Sequence, residues 1–413
     1  MSASALPSLQ SSATPADSLR PAAKSRIVSL DIFRGLIMVV MALDHARDFF
    51  TNVPFEPEDL AHTWPALFFT RWITHFCAPM FFLLAGAGGF LNGQRHAPRE
   101  LRHFLWTRGL WLIALEFTVV GTAWSFEIPF GFFGVVWALG ACMVLMAALV
   151  GLPMRWIAAL SIVMILLHDL FDRLRPAQFG SLAWVWGILH RRGGITLPFG
   201  IHQFVLFPLI PLLGVMAAGY VFGNLYILSR EQRKKMLFRM GTAMIVLFVV
   251  LRLSNLYGNP PAGLGGVSQG DFHAQPTFAK TVILFLDVEK YPPSLQFLLM
   301  TLGPSFLLLA WLDRDRVPRG MTPLWIFGRV PMFFYILHLY LIHALAVVVA
   351  ELRGQSVDWL FHGAIFGDMP AGYGYNLAFV YFMWFAVVVI LYFPCRWFAE
   401  LKKTRHDWWL SYL

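Results

Sequence analysis

The chain has 413 residues, of which 58% are apolar and only 13% are charged, and its mean hydropathy is +0.63. Soluble domains contain about 25% charged residues, so this chain has too few charges to cover a water-soluble surface of its size. The composition excludes a soluble enzyme. The net charge of +9 comes from short basic clusters between apolar runs, a pattern typical of a polytopic membrane protein and not of a nucleic-acid-binding protein.

Residues 1–24 are rich in Ser, Ala and Pro and lack an apolar period, which predicts a disordered tail. Residues 25–402 are predicted to form one transmembrane domain, and residues 403–413 a second tail. A span needs roughly 20 apolar residues. Ten stretches qualify, at about 27–47, 67–92, 104–125, 131–152, 154–171, 203–228, 236–254, 295–312, 323–350 and 377–399. The predicted fold is therefore an all-α, polytopic transmembrane bundle of about ten spans.

The basic residues predict the orientation of these spans. Of the 32 Lys and Arg residues, 20 lie in or near one set of alternate connections and ten in the other, while Arg34 and Arg329 fall within spans. Cytoplasmic loops carry the excess of Lys and Arg. Both termini are therefore predicted to be cytoplasmic, and the longest polar loops extracytoplasmic.

Three ionisable residues fall within spans near the predicted cytoplasmic surface: Asp31, Arg34 and Arg329. A charged side chain inside a span costs about 2.5–3.5 kcal/mol on insertion scales, so each marks a candidate functional site. Asp31 and Arg34 are three residues apart and can pair on one helix face. They form either an ion pair that fixes helix register or, together with Arg329, a cationic site for the phosphates of a cofactor.

Histidines concentrate toward the opposite surface. Asp44, His45 and Asp48 lie at the outer end of the first predicted span, His75 lies in the second, and His338 lies in the ninth. A histidine beside carboxylates is suited to general-base catalysis. The alternative is that each histidine only hydrogen-bonds a neighbouring helix. The spacing matches no zinc motif, so we expect no metal. The three cysteines lie in or beside apolar spans and do not indicate disulfides.

Three motifs resemble one family. SLDIFRG at Ser29–Gly35 and the run Pro79–Gly86 are similar to membrane acyltransferases of the heparan-alpha-glucosaminide N-acetyltransferase type, and GRVPMFFYILH at Gly328–His338 resembles the corresponding helix in bacterial relatives of uncharacterised function. The resemblance implies transfer of an acetyl group from coenzyme A, bound from the cytosol, to an amino sugar or related glycan across the membrane. In that family a histidine in the loop before the second helix is the base. The nearest histidine here is His62, with His45 and His75 as alternatives.

Acyl transfer requires a base, a donor for the developing oxyanion, and alignment of both substrates. We expect a histidine as the base, with Asp44 or Asp48 fixing its tautomer, and a second imidazole or Tyr335 as the oxyanion donor. Arg34 and Arg329 would hold the phosphates of acetyl-CoA while its pantetheine arm reaches the histidines. The acetyl group could pass directly from coenzyme A to the acceptor or first form an acetyl-histidine intermediate, and the sequence is compatible with both.

A different class of function also fits the buried charges. A proton-coupled transporter of a small polar solute would use them as a proton relay. A scaffold or sensor would not need them. In each of these functions the protein would lie in the lipid bilayer. We expect that bilayer to be the cytoplasmic (inner) membrane of a bacterium. A homodimer is compatible with the sequence.

Overall fold

The computed structural model describes residues 27–126, 131–260, 268–361, 369–405, 407 and 410. The predicted tail at 1–24 lies outside these residues, as does most of 403–413. The helices are α1 Val28–Phe50, α2 Pro65–Trp72, α3 Cys77–Gly93, α4 Pro98–Leu115, α5 Gly121–Ser125, α6 Val135–Leu149, α7 Met154–Leu167, α8 Ala183–His190, α9 Leu209–Phe222, α10 Arg230–Ser254, α11 Phe278–Leu286, α12 Leu295–Leu312, α13 Thr322–Arg329, α14 Pro331–Leu352, α15 Asp358–Phe361 and α16 Leu377–Thr404.

The prediction of an all-α polytopic protein is confirmed. In the described part of the chain, eight helical stretches are long and apolar enough to cross a membrane: Pro65–Gly93, Pro98–Ser125, Met154–Phe171, Leu209–Ile227, Arg230–Ser254, Leu295–Leu312, Pro331–Leu352 and Leu377–Thr404. The other two predicted spans are also helices. α1 has 23 residues but carries five charged side chains, and α6 has only 15 residues. The protein is therefore an integral membrane protein.

Two of the predicted spans differ from single continuous helices. The stretch 323–350 is broken between α13 and α14, where Val330 leaves the helical region and Pro331 starts a new helix. Proline is well tolerated at the first helical position but not inside a helix. The stretch 203–228 begins as a strand, and α9 starts only after Pro208. The strands β1 Phe132–Phe133, β2 Gly193–Thr196 and β3 His202–Val205 form a small sheet in which β3 pairs parallel with β1 and antiparallel with β2.

The first helix is surrounded by other helices of the bundle. α1 packs against α3, α13, α14 and α16, and its side chains are buried at positions from Ser29 to Phe50. Ser294 caps α12 by accepting the Phe297 N–H at 3.2 Å, and Asn376 caps α16 by accepting the Phe379 N–H at 3.1 Å. These caps satisfy helix-end N–H groups that have no intrahelical partner.

Close helix crossings depend on glycine. A Cβ added to Gly35 would lie 1.7 Å from the Leu324 carbonyl oxygen, and one added to Gly328 would lie 1.7 Å from the Asp31 carbonyl oxygen. α1 and α13 therefore touch backbone to backbone, which small residues permit in membrane bundles. Gly86 makes a similar contact with the Met216 carbonyl oxygen of α9, at 1.9 Å from its added Cβ, whereas Gly88 has open space. In the second span, Gly86 and not Gly88 therefore makes the close contact with α9.

Gly35→Ala is expected to lower the free energy of unfolding by about 1–3 kcal/mol or more, because the new methyl group overlaps a backbone carbonyl and forces α1 from α13. Thermal unfolding of the detergent-purified protein measures this loss. Gly88→Ala is the matched control and should not lower the melting temperature. Equal melting temperatures for the two variants would contradict the crossing.

Candidate active site

Two histidines from distant parts of the chain are in direct contact. His45 Nδ1, on α1, lies 2.6 Å from His338 Nε2, on α14, and the two rings stack at 4.9 Å between centroids. His338 is fully buried and His45 is half-buried. The sequence predicted that these imidazoles share one depth, and the structure brings them together.

Hydrogen bonding fixes the tautomers of both rings when they are neutral. His338 Nδ1 lies 3.1 Å from the Phe334 carbonyl oxygen, which can only accept, so His338 Nδ1 carries the proton. His338 Nε2 is then an acceptor, and His45 Nδ1 must donate to it. The lone pair of a neutral His45 therefore resides on Nε2, which bonds to no group in the part of the chain that the structure describes. That nitrogen is available to take a proton from a substrate.

Aromatic side chains enclose the histidine pair. The Trp124 ring of α5 packs edge-on against His45 at 4.9 Å, and the Tyr335 ring of α14 lies 6.3 Å from it. α5 continues α4 through a π-helical segment, Glu116–Val120. Such segments often occur at functional sites. The buried Glu116 carboxylate accepts the Trp137 N–H at 3.0 Å and so fixes this segment to the start of α6. Trp124 and Glu116 carry no sequence pattern that marks them as site residues.

A charged network lies beside the histidine pair. Asp44 accepts two hydrogen bonds from Arg71 Nη1, at 2.9 and 2.7 Å, and lies 2.7 Å from Arg47 Nη1. Arg47 also donates to Asp48 at 2.6 Å. The carboxylates of Asp44 and Asp48 are therefore both paired with arginines. The prediction that one of them fixes the tautomer of His45 is wrong, because His338 orients that ring. Consecutive residues on a helix point in different directions, which explains why Asp44 does not face the ring of His45.

The network extends to His75 through a loop residue. Glu58 accepts from Arg71 Nε at 2.8 Å and lies 3.3 Å from His75 Nε2. Burial raises the pKa of Glu58, but the positive charge of Arg71 and the contact with His75 lower it by more, so the net pKa is well below the usual value. Glu58 therefore stays ionised. His75 is thus a member of the charged network and does not contact His45 or His338 directly.

His62 lies apart from these residues. Its side chain is 65% exposed, and Nδ1 lies 2.6 Å from Asp59 Oδ2. The His62 contact lowers the pKa of Asp59. This exposed pair could orient an imidazole as a base, but it is not enclosed as His45 is. We define the His end of the bundle by Asp44, His45, Glu58, His75 and His338.

The predicted cationic residues meet at the other end of α1. Arg34 Nη1 lies 3.3 Å from Asp31 Oδ1 and donates to the Gly328 carbonyl at 3.2 Å. The next residue, Arg329, donates from Nη2 to the Ala399 carbonyl of α16 at 3.3 Å and stacks over the Trp325 ring at 4.8 Å. We define the Arg end by Asp31, Arg34 and Arg329. The 11 residues from Arg34 to His45 place the two ends roughly 16 Å apart along α1.

The described residues contain no group of three or more His, Cys, Asp or Glu side chains arranged to hold a metal ion. The His end instead offers a basic nitrogen in an aromatic enclosure beside fixed charges. The Arg end offers two guanidinium groups on crossing helices. Guanidinium groups recognise phosphate through paired N–H donors.

Comparison with known proteins identifies a family for the chain. The family model described as heparan-alpha-glucosaminide N-acetyltransferase, catalytic, matches residues 26–256, which is more than half of the chain. The match includes His45, His62 and Arg34 but ends before Arg329 and His338. A comparison with curated proteins gave no match.

Proposed function

Because the chain belongs to the heparan-alpha-glucosaminide N-acetyltransferase family, we propose that it transfers an acetyl group from acetyl-CoA, bound at the Arg end, to an amino sugar or related glycan at the His end. The family is one of membrane acetyltransferases. The observation that carries the assignment of the base is the 2.6 Å contact between His45 and His338, which leaves His45 Nε2 as a free acceptor.

In the proposed reaction, His45 Nε2 removes a proton from the acceptor amine as its nitrogen attacks the thioester carbonyl carbon. A carbon–nitrogen bond forms and the carbon–sulfur bond breaks. The proton on His45 then passes to the departing thiolate, which leaves as the thiol of coenzyme A. His338 is a positioning residue, because it acts on the reaction only through the tautomer and orientation of His45.

The distribution of basic residues supports the proposed orientation of the two ends in the membrane. The Arg end lies on the side with the excess of Lys and Arg, so it would face the cytoplasm, where acetyl-CoA is made available. The membrane would be the bacterial inner membrane. The two polar clusters then correspond to the two ends of one acyl donor, whose pantetheine arm runs along α1.

The phosphate site makes a separate prediction. Arg34→Ala or Arg329→Ala should weaken acetyl-CoA binding about tenfold or more, since each removes a charged hydrogen-bond donor. Binding is measured by calorimetry on the detergent-purified protein. Arg319→Ala is the control, because Arg319 is exposed at the same end just before α13. Wild-type affinity in both single variants would exclude the Arg end as the donor site.

The proposed function is tested by incubating the purified protein with radiolabelled acetyl-CoA and a panel of amino sugars. An N-acetylated product supports the proposal. The transporter alternative predicts uptake of a solute into proteoliposomes and no acetylated product, and that result would overturn the proposal.

A further inference from the structure

A lysine outside the spanning helices is buried beside the His end. Lys290 lies between α11 and α12 and is only 5% exposed. The chain around it is held by its neighbour Glu289, whose carboxylate accepts the N–H groups of Tyr291 at 2.7 Å and Ser268 at 3.1 Å. The Ser294 N–H donates to the Glu289 carbonyl at 3.0 Å, immediately before α12 begins. These bonds fix the position of the lysine backbone.

The ammonium group of Lys290 has no ionic partner among the residues that the structure describes. Its Nζ forms no hydrogen bond or ion pair with them and lies 5.1 Å from the centre of the Tyr291 ring. Buried charges in proteins are normally paired, because removing an ammonium group from water is costly. An uncompensated buried cation therefore indicates a place where negative charge arrives during function.

The residues around Lys290 indicate that this negative charge would arrive at the His end. Lys290 precedes α12 by five residues, and α12 packs against α1 and against residues 73–76, which include His75. α12, which follows directly, brings Phe297 to 5.4 Å from the His75 ring. Arg47 and Arg71 lie in the same region, but their guanidinium groups are engaged by Asp44, Asp48 and Glu58. Among the described residues, the cations of this region that form no ion pair are Lys290 and the less buried Arg192, whose guanidinium lies 5.2 Å from the centre of the same Tyr291 ring.

We propose that Lys290 is a catalytic residue that stabilises the oxyanion of the acyl-transfer transition state. This inference rests on the proposed function. As the acceptor nitrogen attacks, the carbonyl π electrons move to oxygen, and the Lys290 ammonium donates a hydrogen bond to the resulting oxyanion. The oxyanion then re-forms the carbonyl as the carbon–sulfur bond breaks, and Lys290 keeps its proton throughout. A charged donor serves this step better than the neutral Tyr335 hydroxyl, because hydrogen bonds from charged donors are about twice as strong.

The test compares Lys290→Met, Lys290→Gln and Lys290→Arg in steady-state acetyl transfer by the full-length protein. The two neutral variants should lose about 10²- to 10³-fold in kcat with little change in KM for acetyl-CoA or acceptor, because the oxyanion exists only in the transition state. The arginine variant keeps the charge and should retain more activity than either. Lys280→Met, which removes a cation from α11, should behave as wild type. Melting temperatures identify the variants that fold.

Three results would overturn the role of Lys290: wild-type kcat in a folded neutral variant, a loss confined to KM for the acceptor, or an arginine variant as inactive as the methionine variant. Failure of the proposed function looks different, because the wild-type protein itself would then transfer no acetyl group. If the wild type is active and His45→Gln is not, while Lys290→Met is unaffected, only the present inference fails.

Discussion

Replacing His45 by glutamine is expected to reduce acetyl transfer about 10²- to 10⁴-fold and to leave acetyl-CoA binding intact. Glutamine can still donate a hydrogen bond to His338 Nε2, but it has no basic nitrogen to accept the proton of the acceptor amine. The measurement is kcat with an amino-sugar acceptor, together with the Kd for acetyl-CoA, whose proposed binding site at the Arg end lies some 16 Å away.

His62→Gln is the matched control for this prediction, because His62 lies on the loop where the family resemblance places the base. It should retain activity close to wild type if His45 is the base. Loss of activity in His62→Gln with full activity in His45→Gln would assign the role to the exposed His62–Asp59 pair instead. Release of free coenzyme A by the wild-type protein without acceptor would indicate an acetyl-histidine intermediate.

Arg71→Met is expected to destabilise the protein by about 3–5 kcal/mol and to reduce activity as well. Arg71 is bound to Asp44 and to Glu58; the Glu58 side chain is buried and the Asp44 side chain is 15% exposed. Among the described residues, removing the guanidinium leaves Glu58 in contact only with His75, and Asp44 paired only with Arg47. The loss is measured as a lower melting temperature in detergent and a lower rate of transfer.

Two further variants make the Arg71 prediction specific. Arg71→Lys should recover part of the stability, since a lysine restores the charge but cannot bind both carboxylates through separate nitrogens. Lys280→Met should leave the melting temperature unchanged. If Arg71→Met melts at the wild-type temperature, the charged network does not hold α1 to α2.

The spans could be predicted from the sequence because backbone polar groups inside a bilayer must be satisfied within the segment, so long apolar stretches are helical. Each of the ten predicted stretches contains a helix, although 203–228 begins as a strand and 323–350 is divided into two helices. α1 was identified in spite of its five charges, because the residues between Arg34 and Asp44 are almost all apolar. The break before Pro331 was missed, since hydropathy does not register where a helix is interrupted.

The candidate site could be predicted only in part. The sequence placed His45, His75 and His338 near one depth, but the contact of His45 with His338 joins residues 293 positions apart and depends on how α1 packs against α14. Glu58 lies in a loop without a period, and nothing local shows that it binds Arg71. The pairing of Asp44 with arginines, and not with His45, is decided by the direction of side chains on α1.

The most direct test of the whole account is a structure of the protein with a non-reactive acetyl-CoA analogue bound. We expect phosphate groups against Arg34 and Arg329 and the acetyl carbonyl beside His45 Nε2, with the pantetheine arm along α1 between them. An analogue bound with its acetyl group at the Arg end, or with its phosphates away from both arginines, would contradict it.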